Sequence, residues 1–238
     1  MIETRNLTKK FGDLIAVDNL NLSIAKGELF SLLGLNGAGK TTTIKMLSCL
    51  ILPTSGDATI LEKNLIKDAQ FIKQRLNVSP QETSVATKLS VWENLKMIAG
   101  IYGMNTEIIP QKVEEMISVF KLTDVRDKRA KLLSGGMQRR LSIAMALITE
   151  PEILFLDEPT LGLDVIARRE LWSIIKKLKG KTTIILTTHY LEEVEALSDR
   201  VAIMQKGKIK AIGTVEELLR QTDSKTLEDA FVLLNEEA

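Results

Sequence analysis

At 238 residues, 45% of them hydrophobic, the chain is long enough for one or two compact domains and too apolar for global disorder. Thirty-two basic against 31 acidic side chains leave a formal charge of +1, which argues against a broad nucleic-acid-binding face. A lone cysteine, Cys49, excludes an internal disulfide, a lone histidine, His189, excludes a paired-histidine metal site, and no apolar run approaches the ~18 residues of a membrane span.

The first residues, Met1-Ile2-Glu3-Thr4, lead at once into a polar segment without a secretory apolar region. The expectation is a soluble protein in a reducing compartment, with any membrane role coming through a partner. Strand-like and helix-like segments then alternate, which predicts a layered α/β fold. Leu20 to Ile24 and Leu29 to Leu33 read as strands, residues 34–41 as a Gly-rich turn, and Thr41 to Leu50 as a helix. Pro53-Thr54-Ser55-Gly56 signals a turn before a strand over Asp57 to Ile60. From about 82 to 133 the pattern changes. Leu95, Ile98, Ala99 and Tyr102, then Val113, Met116, Ile117 and Phe120, repeat at helical spacing, and Ser90-Val91-Trp92-Glu93 fits a capping box. This region reads as a helical insertion with its own small core. The α/β rhythm resumes with a strand at Ile153 to Leu156, a helix striped by Leu171, Ile174, Ile175 and Leu178, and a strand at Thr183 to Thr187. Val201 to Met204 and Ile209 to Ile212 flank the hairpin signal Gln205-Lys206-Gly207-Lys208, and a polar stretch from Gln221 to Lys225 precedes a last short helix.

Gly34-Leu35-Asn36-Gly37-Ala38-Gly39-Lys40-Thr41 matches G-x-x-x-x-G-K-[ST] between a predicted strand and a predicted helix, the context that motif requires. Glycines let the backbone curl so that N–H groups converge on phosphate oxygens, and the helix start adds its positive dipole end. Lys40 supplies a point charge for the β- and γ-phosphates, the Thr41 hydroxyl suits Mg²⁺, and Thr42 can donate to a phosphate. A Gly-rich turn with a solvated lysine is the plain alternative. The agreement of residue types and context favours a nucleoside triphosphate site.

Ile153-Leu154-Phe155-Leu156-Asp157-Glu158 is an apolar run ending in two acids, the pattern of a buried parallel strand. Asp157 at its end would face the phosphate loop and hold Mg²⁺. Glu158 would point elsewhere, since strand side chains alternate, and polarise the attacking water. The alternative is a strand ending in solvated acids. Gln81 could ligate Mg²⁺ or orient water, or be a polar loop residue; His189 could contact a γ-phosphate, or be structural.

Leu133-Ser134-Gly135-Gly136-Met137-Gln138 adds a further motif upstream of the acidic strand. With it the chain resembles the nucleotide-binding subunit of ATP-binding cassette (ABC) transporters, whose signature usually reads LSGGQ; Met137 departs at the last position. Leu161-Gly162-Leu163-Asp164 resembles the family's Asp-loop, Gln81 its Gln-loop and His189 its switch histidine. Phe11 stands where the family has an adenine-stacking aromatic, usually Tyr, worth ~0.5–1.5 kcal/mol if it stacks; core packing is its alternative. These motifs run in family order from Phe11 to Asp199.

The resemblance implies an α/β fold: a P-loop NTPase core with a mixed sheet, an N-terminal antiparallel β subdomain and a helical insertion subdomain. The expected division is 1–81 and 134–220 for the nucleotide-binding core, 82–133 for the helical subdomain and 221–238 for a short C-terminal extension. It implies ATP and Mg²⁺ as cofactors and ATP hydrolysis as the activity. Ser134 and the Gly135 and Gly136 amides, opening a helix from about Met137 to Thr149, would grip the γ-phosphate bound to a second copy, and Asp164 of the Asp-loop is counted with them as a cofactor-binding residue. Two subunits would close on two ATP molecules and power transport through a separate membrane permease, on the cytoplasmic face of the cell membrane. Residues Glu82 to Ala86 and Trp92 are candidates for the permease docking surface, with subdomain core as the plain reading of Trp92. Thr188 to Glu195 and Leu227 to Phe231 resemble exporter subunits. The rival is a non-transport cassette ATPase acting on nucleic acid or ribosomes. Such relatives usually carry two cassettes or a long coiled-coil insertion, and neither is visible, so no nucleic-acid partner is expected. A GTPase should carry N-K-x-D, which is not found.

Overall fold

A computed structural model describes residues 1–236, so the last two residues of the expected 221–238 extension lie outside the described residues. The chain begins with an antiparallel hairpin, β1 (Ile2–Phe11) and β2 (Leu14–Ile24), followed by β3 (Leu29–Leu33) and α1 (Lys40–Leu47). Next come β4 (Ser55–Ile60), β5 (Lys63–Asn64), α2 (Ala69–Lys73) and β6 (Leu76–Ser79). Helices α3 (Val91–Ile101) and α4 (Ile109–Val119) and two short 3₁₀ turns lead to α5 (Gly135–Leu147). The chain continues through β7 (Ile153–Asp157), α6 (Val165–Lys176), β8 (Thr183–Thr188) and α7 (Leu191–Leu197). It closes with β9 (Arg200–Gln205), β10 (Lys208–Gly213), α8 (Val215–Thr222) and α9 (Leu227–Glu236).

Two sheets result. One is antiparallel, in the order β2-β1-β4-β5; the other is mixed, in the order β10-β9-β3-β8-β7-β6, with only β10 antiparallel. Side-chain alternation divides the mixed sheet's residues between two apolar layers. Ile153, Phe155 and Ile185 pack with the antiparallel sheet and α1, whereas Leu154, Leu156, Ile184 and Leu186 pack with α3, α4, α5 and α6. Strands buried on both faces are near-continuous apolar runs for this reason.

Several boundaries differ from the sequence reading. The strand predicted at Leu20 extends back to Leu14, because bulged pairing with β1 carries the hairpin further. Helix α1 ends at Leu47, since Cys49 turns left-handed (φ 58°) and stops it. Helix α5 starts at Gly135 rather than near Met137, capped by Ser134, and ends at Leu147. The capping box at Ser90 and Glu93 forms as expected, and Lys206 and Gly207, both at positive φ, make the tight β9–β10 turn. The helical segment has no separate core: its Leu95, Val113, Ile117 and Phe120 join the apolar layer that includes Leu154 and Ile184. The reason is that α5 lies between, burying residues from Leu141 to Leu147 against both. Trp92 packs half-buried against this layer, with Lys96 and Arg126 over its ring, as its plainer reading had it.

Candidate functional site

Parallel strands put their carboxyl ends on one edge, and in open α/β sheets ligands sit in the crevice there. That edge gathers Gly34 after β3, Gln81 after β6, Asp157 and Glu158 at the end of β7, and His189 after β8. A pocket of about 750 Å³ opens here. Phe11, Asn36, Gly37, Ala38, Gly39, Lys40, Thr41, Thr42, Gln81, Glu158 and His189 all line it. Five segments far apart in the chain therefore converge on one cavity.

Gly39 shows why the loop needs glycine. It is left-handed at φ 106°, and a side-chain carbon there would lie 2.5 Å from the Ala16 carbonyl oxygen. Lys40 opens α1 and is buried. Its ammonium donates to the Gly34 carbonyl at 2.8 Å and the Leu35 carbonyl at 3.3 Å, and pairs with Glu158 Oε1 at 3.1 Å. Glu158 Oε2 accepts from His189 Nδ1 at 2.9 Å, so one buried carboxylate bridges the lysine and the histidine.

The expected divergence of the two acids does not occur. Thr41 donates to Asp157 Oδ1 at 3.1 Å, while the neighbouring Glu158 also faces the phosphate loop through Lys40. Strand alternation stops at Asp157: Glu158 leaves β7 with φ 47°, and its left-handed backbone turns the side chain back. Thr187 on β8 stabilises this bend. Its hydroxyl donates to Asp157 Oδ1 at 2.5 Å and accepts from the Glu158 N–H at 3.0 Å.

Thr41, which lines the pocket, sets its hydroxyl beside the carboxylate of the buried Asp157. Hard oxygen donors of this kind fit Mg²⁺, which takes few protein ligands and completes its shell with water and phosphate oxygens. Phe11 is 50% exposed at the end of β1, which rules out core packing for its ring.

Ser134, Gly135, Gly136 and Asp164 stand apart and do not line the pocket. Ser134 caps α5, accepting from the Met137 N–H at 3.3 Å, and Asp164 caps α6, accepting from the Ala167 N–H at 2.9 Å. The two helix starts abut: a side-chain carbon on Gly136 would lie 3.2 Å from Ala167 Cβ. The predicted residues thus form two groups rather than one.

Sequence reasoning missed Thr187, Arg139 and Glu193. Thr187 and Glu193 carry no motif; each is one polar residue in a run whose partners lie on other elements. Glu193 on α7 is fully buried, with Trp172 Nε1 donating to its Oε1 at 2.9 Å and its Oε2 without a hydrogen-bond partner among the described residues. Burial pushes its carboxyl above the ordinary value. A raised acid is folded at no ionic cost below the unfolded pKa, and stability is lost as pH rises through the folded pKa. Glu193→Gln is therefore expected to melt higher than the parent at pH 8, by ~2–4 °C for each kcal/mol regained, and to lose that advantage near about pH 4. Thermal melts at both pH values check this; a variant less stable at both would contradict it.

Comparison with known proteins places this geometry. The family model described as "ABC transporter" matches residues 17–161. The chain is 39% identical over 240 aligned residues to "Probable multidrug ABC transporter ATP-binding protein YbhF" of Escherichia coli (strain K12), covering 98% of this chain but only 41% of that protein. It is 40% identical over 227 residues to "Daunorubicin/doxorubicin resistance ATP-binding protein DrrA" of Streptomyces peucetius, covering 95% of this chain and 69% of that one. Among solved structures, "Dimeric structure of a post-hydrolysis state of the ATP-binding cassette MJ0796 bound to ADP and Pi" superposes with a TM-score of 0.81 at 26% identity, over 90% of this chain and 98% of that chain. The phosphate loop, the acidic strand end and the separate helix-capping serine lie in an α/β frame that matches this family's model over more than half the chain, and the protein belongs to the ABC transporter family.

Proposed function

We propose that this chain binds and hydrolyses ATP, closing with a second copy around two ATP molecules to power transport, in the export direction, through a separate membrane permease. One observation carries the reading: Lys40, Glu158, His189, Thr41 and Gln81 share a pocket from which Ser134 and Asp164 are excluded. A second anion-binding helix start on the same chain has no use at its own pocket. Facing a partner's γ-phosphate, it completes that partner's site. Exposed Leu161, Val165 and Ile166 flank the same helix starts and offer apolar area for that contact.

In this reading the loop amides from Asn36 to Thr41 and the Lys40 ammonium hold the phosphates, and Phe11 stacks on adenine. Thr41 and Asp157 would hold Mg²⁺, with Gln81 completing the set from across the pocket; the ion would neutralise charge on the phosphate oxygens. Phosphates at Lys40 compete with Glu158 for one ammonium. Glu158 is thereby released to accept a proton from the attacking water, and His189, already on that carboxylate, orients it. Loss of the γ-phosphate removes the link between Lys40 of one copy and Ser134 of the other, and the pair opens.

No helix among the described residues is long and apolar enough to cross a membrane, and in this reading a separate permease supplies the path. A groove between the sheet and α3, lined by Leu50, Pro80, Ser84, Ile98 and Tyr102, suits a permease segment and adjoins the expected surface at Glu82 to Ala86. That neighbourhood supports a permease docking near the loop that carries Gln81. The names of the relatives YbhF and DrrA support export of a drug-like molecule, and the cytoplasmic face of the membrane is the corresponding place of work. The test is steady-state phosphate release by the purified chain. The initial rate should need Mg²⁺ and rise with the square of protein concentration while pairs are scarce. A rate strictly proportional to concentration at all dilutions, or no release, would count against the proposal.

A further inference from the structure

Arg139 is the feature that the proposed chemistry does not yet use. It lies on α5, five residues after Ser134, and is only 4% exposed. Its guanidinium has no carboxylate in ion-pair contact among the described residues. It grips backbone carbonyls instead. Nε donates to the Pro159 carbonyl at 2.8 Å, Nη2 to the Asp157 carbonyl at 2.8 Å, and Nη1 to the carbonyl of Pro80, with that of Gln81 at 3.5 Å.

Those carbonyls are not scattered. Asp157 and Pro159 bracket Glu158, the residue with the left-handed backbone. Pro80 is the residue before Gln81. The Glu158 N–H is already tied to the Thr187 carbonyl at 3.1 Å and the Thr187 hydroxyl at 3.0 Å. With Arg139 on both flanking carbonyls, the peptide units around Glu158 have little freedom left. Burying a guanidinium is costly: burial lowers its pKa to about 10 against the opposing pull of the Asp157, Glu193 and Glu158 carboxylates, so it stays charged at neutral pH. A packed apolar side chain would avoid that cost, so the fork is kept for what it holds. A planar fork can hold three peptide units at fixed spacing; a point charge cannot.

We propose that Arg139 is a positioning residue that fixes Glu158 and Gln81 for hydrolysis and, through the rigid start of α5, links their placement to the engagement of Ser134 with a partner's nucleotide. This rests on the ATPase reading above. Arg139 lies five steps of helical rise beyond Ser134, ~7.5 Å along one rod. A shift of α5 on engaging a phosphate is therefore delivered directly to the carbonyls around Glu158.

The experiment compares Arg139→Lys and Arg139→Gln with the parent chain, alone and combined with Glu158→Gln. In both single variants kcat should fall by ~10²-fold while ATP affinity, read by calorimetry, stays within about twofold, since misplacement by ~1 Å costs that much and the phosphate loop is untouched. In the Glu158→Gln background the Arg139 substitutions should cost far less than ~10²-fold, because the group that Arg139 chiefly positions no longer takes the proton and only the placement of Gln81 is left to lose. Three results would overturn the proposal: an unchanged kcat in Arg139→Lys, losses that multiply in the double variants, or failure of both single variants to melt cooperatively. A parent chain that releases no phosphate would instead remove the ATPase reading, and this inference with it.

Discussion

Glu158→Gln is expected to slow ATP turnover by roughly 10²–10⁴-fold while leaving ATP affinity at least as tight as in the parent chain. The side chain is 6% exposed and sits between Lys40 and His189, so the substitution keeps its shape and place and removes its basicity and charge. An amide cannot take the proton of the attacking water. It also competes less well than a carboxylate for the Lys40 ammonium, which frees that ammonium for phosphate. Steady-state phosphate release measures the first effect and calorimetry the second. Undiminished turnover would remove Glu158 from the chemistry, and weakened binding would show that its contact with Lys40 organises the loop.

The second large effect concerns where a site ends. Lys40→Ala should abolish tight nucleotide binding, since the loop loses its only buried ammonium among the described residues lining the pocket. Ser134→Arg should abolish it as well, although Ser134 lies outside that pocket, because it blocks the helix start that a partner's phosphate would meet. Each variant alone is then inactive. Mixed, they should regain one complete site per mixed pair, built from the intact Lys40 of one copy and the intact Ser134 of the other. Retention of labelled ATP through gel filtration, with Glu158→Gln in both chains to prevent turnover, reads this directly. If each nucleotide were enclosed by a single chain, mixing would restore nothing. Recovery at both sites of every pair would equally contradict a shared arrangement.

Legibility in the sequence varied with the range of the interaction. The phosphate loop could be read because its requirements are local: glycines for the curl, a lysine at the helix start, and apolar β3 before it. The helix caps at Ser90 and Thr214 are equally local, each closed by a glutamate three residues on. Phe11 was undecided, since one aromatic residue at a strand end carries no statement about its exposure. The divergence expected of Asp157 and Glu158 failed because it carried strand alternation one residue past the end of β7. Only a backbone bend held by Thr187, 30 residues on, reverses the glutamate. The helical segment's own core failed similarly, since periodicity identifies an apolar face and not what covers it.

The linear order of residues was enough to determine the family, the phosphate loop and the alternation of strands and helices, because each is written in short-range chemistry that any folded context must respect. Tertiary structure alone decided that Lys40, Glu158 and His189 form one bridge, that Ser134 and Asp164 stand in a separate group, and that Arg139 reaches Pro80 across 59 residues of chain. Those outcomes depend on which segments the two sheets bring side by side. A buried charge finds its partners in space, and chain distance says nothing of them.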